Sequence, residues 1–201
     1  MRKQALVITF PICICILIAG AWLADAGPPD LNPPPGTVGV SGRFGTRTAI
    51  LKLPFTITEC GSYFLTGCLT GEANRDGITI EADDVTLDLN GFSLIGVGGS
   101  FDGVAVPATR TNLVIRNGTV RNWGNDGVDT IRAQNSQLQD LRASGNGVNG
   151  LRIGAGGLVT HCTVTENGAF GIFADSGSTV QDCSARNNLG GISVGTGCTV
   201  Q

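Results

Sequence analysis

Apolar and polar positions alternate with a period of two in short runs, and each run opens on a glycine. The runs are Gly77-Ile-Thr-Ile80, Gly103-Val-Ala-Val106, Gly127-Val-Asp-Thr130, Gly150-Leu-Arg-Ile153, Gly171-Ile-Phe-Ala174 and Gly191-Ile-Ser-Val194. Their glycines are spaced by 26, 24, 23, 21 and 20 residues. Alternation this brief predicts a short strand, with Ile78 and Ile80, or their equivalents, on one side. Each unit also carries a second apolar segment. Its clearest forms are Val159-x-x-Cys162-x-Val164-x-x-Asn167 and Val180-x-x-Cys183-x-Ala185-x-x-Asn188. Leu138, Leu141, Ala143 and Asn146 fit the same frame one unit earlier, and Val114, Thr119 and Asn122 fit it loosely before that. The frame places Asn122, Asn146, Asn167 and Asn188 in one column, where stacked amides can hydrogen-bond along the repeat axis.

Two short strands in a unit of about 21 residues cannot bury an apolar face alone. Stacked as coils, their inward residues form a continuous column, and every strand pairs in parallel with its counterpart in the next coil. The handedness of parallel crossovers makes that winding right-handed. The expected fold is therefore all-β, a right-handed parallel β-helix of about five to six coils. A leucine-rich repeat shares the spacing from Val159 to Asn167 but needs further aliphatics after the asparagine. Here another Gly-led strand, Gly168-Ala-Phe-Gly-Ile172, follows instead.

Composition narrows the function. Charged residues make up 14% of the 201-residue chain, against roughly 25% in ordinary soluble domains. With a formal charge of −3 there is no basic groove for nucleic acid. At the N-terminus, Arg2 and Lys3 precede an apolar run from Ala5 to Leu23, and Ala24-Asp25-Ala26 supplies a small-x-small cleavage pattern. Residues 1–26 are read as a signal peptide in preference to a membrane anchor, since GPPDLNPPPG follows as a linker. Residues 27–56 are a Pro/Gly-rich lead-in and N-terminal cap region, and 57–201 the repeat domain. The expected location is secreted, periplasmic or cell-surface, with no membrane contact after cleavage.

The segments ITECGSYFLTG (57–67), DGITIEADDVTLDLNGFSLIG (76–96) and IRNGTVRNWGNDGV (115–128), with the later Gly-Ile-x-Val units, resemble secreted right-handed parallel β-helix repeat proteins of the pectin-lyase-like superfamily. The resemblance implies an elongated solenoid, and some members of that superfamily cleave or bind acidic polysaccharides. The Gly-His-Gly and Arg-x-Lys pieces of its polygalacturonase-like members are missing, because the only histidine lies in Thr160-His161-Cys162.

Three groups are candidates for chemistry. Arg116, Asp140, His161 and Asp182 fall in one outward column, which would set Asp140 and Asp182 roughly 9.6 Å apart across His161. That borders the spacing of an inverting glycosidase pair, but alternating charge is also what a pairing ladder requires. Asp76, Asp102 and Asp126 precede coil-opening glycines, with Asn149 next, and stacked carboxylates either repel or bridge a hard cation such as Ca²⁺. Cys60 and Cys68 flank GSYFLTG, read as a reversal, and are the candidate disulfide pair, whereas Cys162 and Cys183 are read as buried thiols packing a column. No cofactor is expected beyond that Ca²⁺ candidate.

The chain stops inside the second segment of a coil, so the sequence predicts a truncated solenoid or one whose open coil a partner covers. The expected function is a non-catalytic surface or binding solenoid contacting extracellular or cell-wall polysaccharide, or protein. The alternative is a polysaccharide lyase or glycoside hydrolase of the same fold.

Overall fold

The computed structural model describes residues 47–201; the signal-peptide assignment and most of the lead-in lie outside that range. The described residues are strands and turns, and the strands pair in parallel. One sheet has seven strands, Phe55–Ile57, Ile78–Ile80, Val104–Ala105, Val128–Thr130, Leu151–Ile153, Phe170–Ala174 and Gly190–Val194, each bonded to the next. These are the Gly-led segments of the sequence pattern, preceded by one more. The second apolar segments build a twelve-strand sheet, and Arg110–Thr111 pairs with Ala133–Gln134 in a small third one. The result is a right-handed parallel β-helix of about six turns.

The alternation puts the expected residues inside. Ile78, Val104, Val128, Leu151, Ile172 and Ile192 occupy one register position on successive coils, as do Tyr63, Leu87, Ile115, Leu138, Val159 and Val180. Most are fully buried, so the core is a continuous column of aliphatics. The glycines at the head of each strand are required by close approach. A Cβ on Gly127 would lie 2.5 Å from the Gly150 carbonyl oxygen and 2.7 Å from the Asn146 amide nitrogen, and Gly150 repeats this against Gly171 and Asn167.

The amide column forms, one residue out of the expected frame at its start. The Asn146 amide donates to Asn167 Oδ1 at 3.0 Å, and the Asn167 amide donates to Asn188 Oδ1 at 2.8 Å. The same acceptors take the backbone N–H groups of Asn146 and Asn167, at 3.1 and 2.9 Å. The remaining amide hydrogens reach the carbonyls of Val120, Ala143 and Val164. The member above Asn146 is Trp123, not Asn122: its backbone N–H donates to Asn146 Oδ1 at 3.1 Å and its indole to the Leu94 carbonyl at 3.3 Å. Register explains the slip, since Ile115 and Val120 lie opposite Leu138 and Ala143. Asn122 takes the preceding, left-handed position (φ 61°) with Gly145, Glu166 and Asn187.

Three further expectations are corrected. The second segment holds two strands per coil, as in Leu158–Thr160 and Thr163–Thr165, because the left-handed residue at its middle (His161, φ 54°) turns the chain. The solenoid starts before residue 57, since Thr48–Ile50 pairs with Gly61–Leu65 and Phe55–Ile57 with Ile78–Ile80. Finally, Gly61–Leu65 is an extended strand and not a reversal. At about 3.3 Å per residue it holds Cys60 and Cys68 apart, and both are free, exposed thiols without the expected disulfide.

Replacing Asn167 by Leu strips the acceptor from two donors of Asn146, and it removes the amide donor to the Ala143 carbonyl and one of the two donors to Asn188 Oδ1. Buried unsatisfied groups cost about 1–3 kcal/mol, so Asn167→Leu is expected near the upper end of that range in urea denaturation, with an unchanged slope against denaturant.

Candidate functional site

The seven-strand sheet offers two neighbouring features, an acidic seam along one edge and an outward row of side chains. In the seam, Asp76, Asp102, Asp126 and Asn149 stand one above another, as their place before the strands predicted. Each accepts from the backbone of the next coil: Asp102 N–H to Asp76 Oδ1 at 3.0 Å, Asp126 N–H to Asp102 Oδ1 at 2.8 Å, Asn149 N–H to Asp126 Oδ1 at 2.7 Å and Phe170 N–H to Asn149 Oδ1 at 3.1 Å. The side-chain amide of Asn149 adds a second bond to Asp126 Oδ1 at 2.9 Å. Asp and Asn suit this place because their short side chains carry an acceptor that bonds backbone in turns.

The seam carries unequal charge. Asp126 turns its second oxygen to the Arg152 guanidinium at 3.1 Å, and Asp129 meets the same guanidinium at 3.0 Å. Burial pushes the Asp102 carboxyl up to about 6; the N–H of Asp126 opposes this, and the charges of Asp126, Asp129 and Asp76 reinforce it. Burial likewise raises Asp129, against the Ile131 N–H and Arg152. One oxygen of each stacked aspartate faces a backbone donor, so the three carboxylates spread along the stack. Among the described residues no group of three or more His, Cys, Asp or Glu side chains is gathered as a metal's ligand set.

The outward row is read from the middle of each strand: Thr56, Thr79, Ala105, Asp129, Arg152, Phe173 and Ser193 on consecutive coils. At one end a cavity of about 330 Å³ is lined by Thr56, Thr79, Asp76, Asn74, Arg75 and Phe101, a residue 44% exposed. Towards the other end, Phe170 and Phe173 pack with ring centroids 6.2 Å apart, and the Arg152 guanidinium lies 5.8 Å from the Phe173 centroid. Sequence reasoning missed Phe101, Arg152, Phe170 and Phe173. Arg152 and Phe173 were readable, since each fills the outward position of a Gly-led strand (Gly150-Leu-Arg-Ile153, Gly171-Ile-Phe-Ala174).

The other candidate column lies on the far segment. Asp140, His161 and Asp182 share one left-handed turn position, with φ of 52, 54 and 52°. His161 Nδ1 is 4.0 Å from Asp140 Oδ1, and its Nε2 is 3.7 Å from Asp182 Oδ2. These side chains are 57–65% exposed. Arg116 does not belong with them: it sits opposite Gln139, and Asn117 takes the position above Asp140. Arg116 instead contacts the buried Asp88 at 3.4 Å, which Arg47 meets at 3.0 Å. Burial works to raise Asp88, but the Asn90 N–H, the Asn117 amide and these two arginines together hold it below the ordinary carboxylate value.

A family described as the right-handed β-helix region matches residues 55–201. No curated protein and no solved structure matches the chain.

Two stability measurements follow from these geometries. Asp102 binds its proton more tightly folded (about 6) than at the ordinary value of 3.8, so its charge weighs against folding above about pH 6 and ceases to as pH falls towards 4. Asp102→Asn keeps an acceptor for Asp126 N–H. It should melt higher than wild type at pH 8, with the gap closing between about pH 6 and 4. Asp182→Asn should lose only about 0.2–1 kcal/mol, and less in high salt.

Proposed function

We propose that this chain, which belongs to the right-handed β-helix family, is an exported, non-catalytic binding solenoid that holds a polysaccharide along the outer face of its seven-strand sheet. The observation that carries the reading is the outward row, in which Thr56, Thr79, Ala105, Asp129, Arg152 and Phe173 follow one another at the regular spacing of the coils, beginning at the Phe101 cavity. A linear polymer meets such a row in register, its hydroxyls on the hydroxyl, carboxylate and guanidinium groups and its ring faces on Phe101 and Phe173. The polar columns support a binding role over a catalytic one. The seam aspartates spend acceptors on the neighbouring coil, and the Asp140–His161–Asp182 ladder stands in open solvent. The basic start, apolar run and Ala24-Asp25-Ala26 support export.

One observation favours a second reading, a lyase or hydrolase centred on the seam. Asp102 holds its proton up to about pH 6, as a general acid must, beside the ionisable Asp126 and Asp129.

The test is titration of the purified protein with neutral, uronic-acid and amino-sugar polymers, with calcium and with a chelator. Binding to at least one polymer is expected, weakened about tenfold by Phe101→Ala or Phe173→Ala at unchanged melting temperature; a stacking contact of about 1.4 kcal/mol corresponds to that factor. Binding that ignores both rings overturns the assignment to this face. Chain cleavage by wild type that Asp102→Asn abolishes establishes the enzyme instead. Secreted material is expected to begin at Gly27; retention of residues 1–26 in a membrane fraction contradicts export.

A further inference from the structure

We propose that Cys183 and Cys162 form a two-thiol redox site, in which the half-buried Cys183 is oxidised first and the buried Cys162 resolves it into a disulfide joining two successive coils. Thr160 lies opposite Gln181 and Thr163 opposite Ser184, so the two cysteines are register partners on adjacent parallel coils. Coil spacing puts their Cα atoms about 4.8 Å apart, inside the disulfide range of roughly 4.4–6.8 Å. The Cβ atoms must close from about 4.8 Å to about 3.8 Å.

The thiols have the same orientation, repeated one coil on. Cys162 Sγ lies 3.2 Å from the Thr160 carbonyl and 3.7 Å from that of Leu138; Cys183 Sγ lies 3.1 Å from Gln181 and 3.6 Å from Val159. The pair is asymmetric in exposure, with Cys162 1% accessible and Cys183 half-buried. It is asymmetric in acidity as well. The hydrogen bond from Cys162 brings the Cys183 thiol down to about 7 against its burial, helped by backbone donors and His161, while Cys162 is pushed up by the same contact and by burial. The accessible sulfur is thus the nucleophile, and the inaccessible one is positioned to meet its oxidised product.

The co-reactant is a peroxide. The Cys183 thiolate attacks one peroxide oxygen, the O–O bond breaks, and the departing hydroxide takes a proton to become water, leaving Cys183 as a sulfenic acid. Cys162 then loses its proton and attacks the Cys183 sulfur, the S–O bond breaks, and a second water leaves. Two thiols and one hydrogen peroxide become one disulfide and two waters, the two electrons lost by sulfur reducing the O–O bond. A dithiol reductant reverses the closure by exchange.

The experiment is peptide mapping of the reduced full chain after hydrogen peroxide, with alkylation under unfolding conditions. Cleavage after Arg152 and Arg186 releases both cysteines on one peptide, and cleavage after Glu166 separates them. The expected result is that the two halves stay joined, two hydrogens lighter, and part on adding dithiothreitol, while Cys60 and Cys68 supply no partner to either. In Cys162→Ala the sulfenic acid has no resolving thiol, so a dimedone adduct should accumulate on Cys183. Recovery of Cys162 and Cys183 as separate alkylated thiols after peroxide overturns the proposal, as does an adduct on Cys60 but none on Cys183.

Discussion

A coil of a parallel β-helix has no partner within itself for most of its backbone groups; it must find them in the coils above and below. Everything else in this chain is arranged to keep that register. The strands meet the requirement directly, and the corners meet it in part: Gly147 and Val148 donate to the carbonyls of Trp123 and Asn125, while the N–H groups of Asn146 and Asn149 reach no backbone carbonyl. Side chains therefore supply the missing acceptors. On the inside, Asn146, Asn167 and Asn188 accept from the coil before each of them; at the edge of the seven-strand sheet, Asp76, Asp102, Asp126 and Asn149 accept from the coil after. Two seams of opposite polarity flank the corner between Asn146 and Asn149 that leads into Leu151–Ile153, and Gly150 there lies against both the Asn167 amide and the next backbone.

This arrangement accounts for what could be read in advance. Ile78, Ile80 and their counterparts, the parallel stacking and the Asp76–Asp102–Asp126 alignment were legible because each recurs with the coil itself. Where the period carried a substitution, the reading slipped. Trp123 fills the position that Asn holds in later coils, so the frame attached itself to the neighbouring Asn122, and the same one-residue error brought Arg116 into a column that belongs to Asn117. Only coordinates distinguish these choices, since an asparagine suits both the ladder and the left-handed corner beside it. Cys60 and Cys68 misled for a different reason: paired cysteines around glycine suggest a closed loop, while the intervening Ser62, Tyr63, Phe64 and Leu65 alternate as a strand. The outward row needed the fold first, because Arg152 and Phe173 gain meaning only when their coils are stacked.

The seams also shape what the surface can do. Each seam aspartate commits one carboxylate oxygen to the neighbouring backbone, and the burial this brings has a cost visible at Asp102, whose proton is held to about pH 6. The outward row presents one residue per coil and is tied to the acidic seam through Arg152, which pairs with both Asp126 and Asp129, while the inward aliphatics and the two seams preserve the coil.

The claim on which the account rests is that the seam acceptors belong to the neighbouring backbone. Hydrogen exchange at the amide of Asn149, a corner residue, measures this directly, because that N–H bonds only to Asp126 Oδ1 across the coil boundary. The account predicts slow exchange in the intact protein and at least about tenfold faster exchange in Asp126→Ala, confined to that corner while the strand amides keep their protection. Exchange at the rate of an open turn in the wild type, or no change on removing the carboxylate, would contradict it.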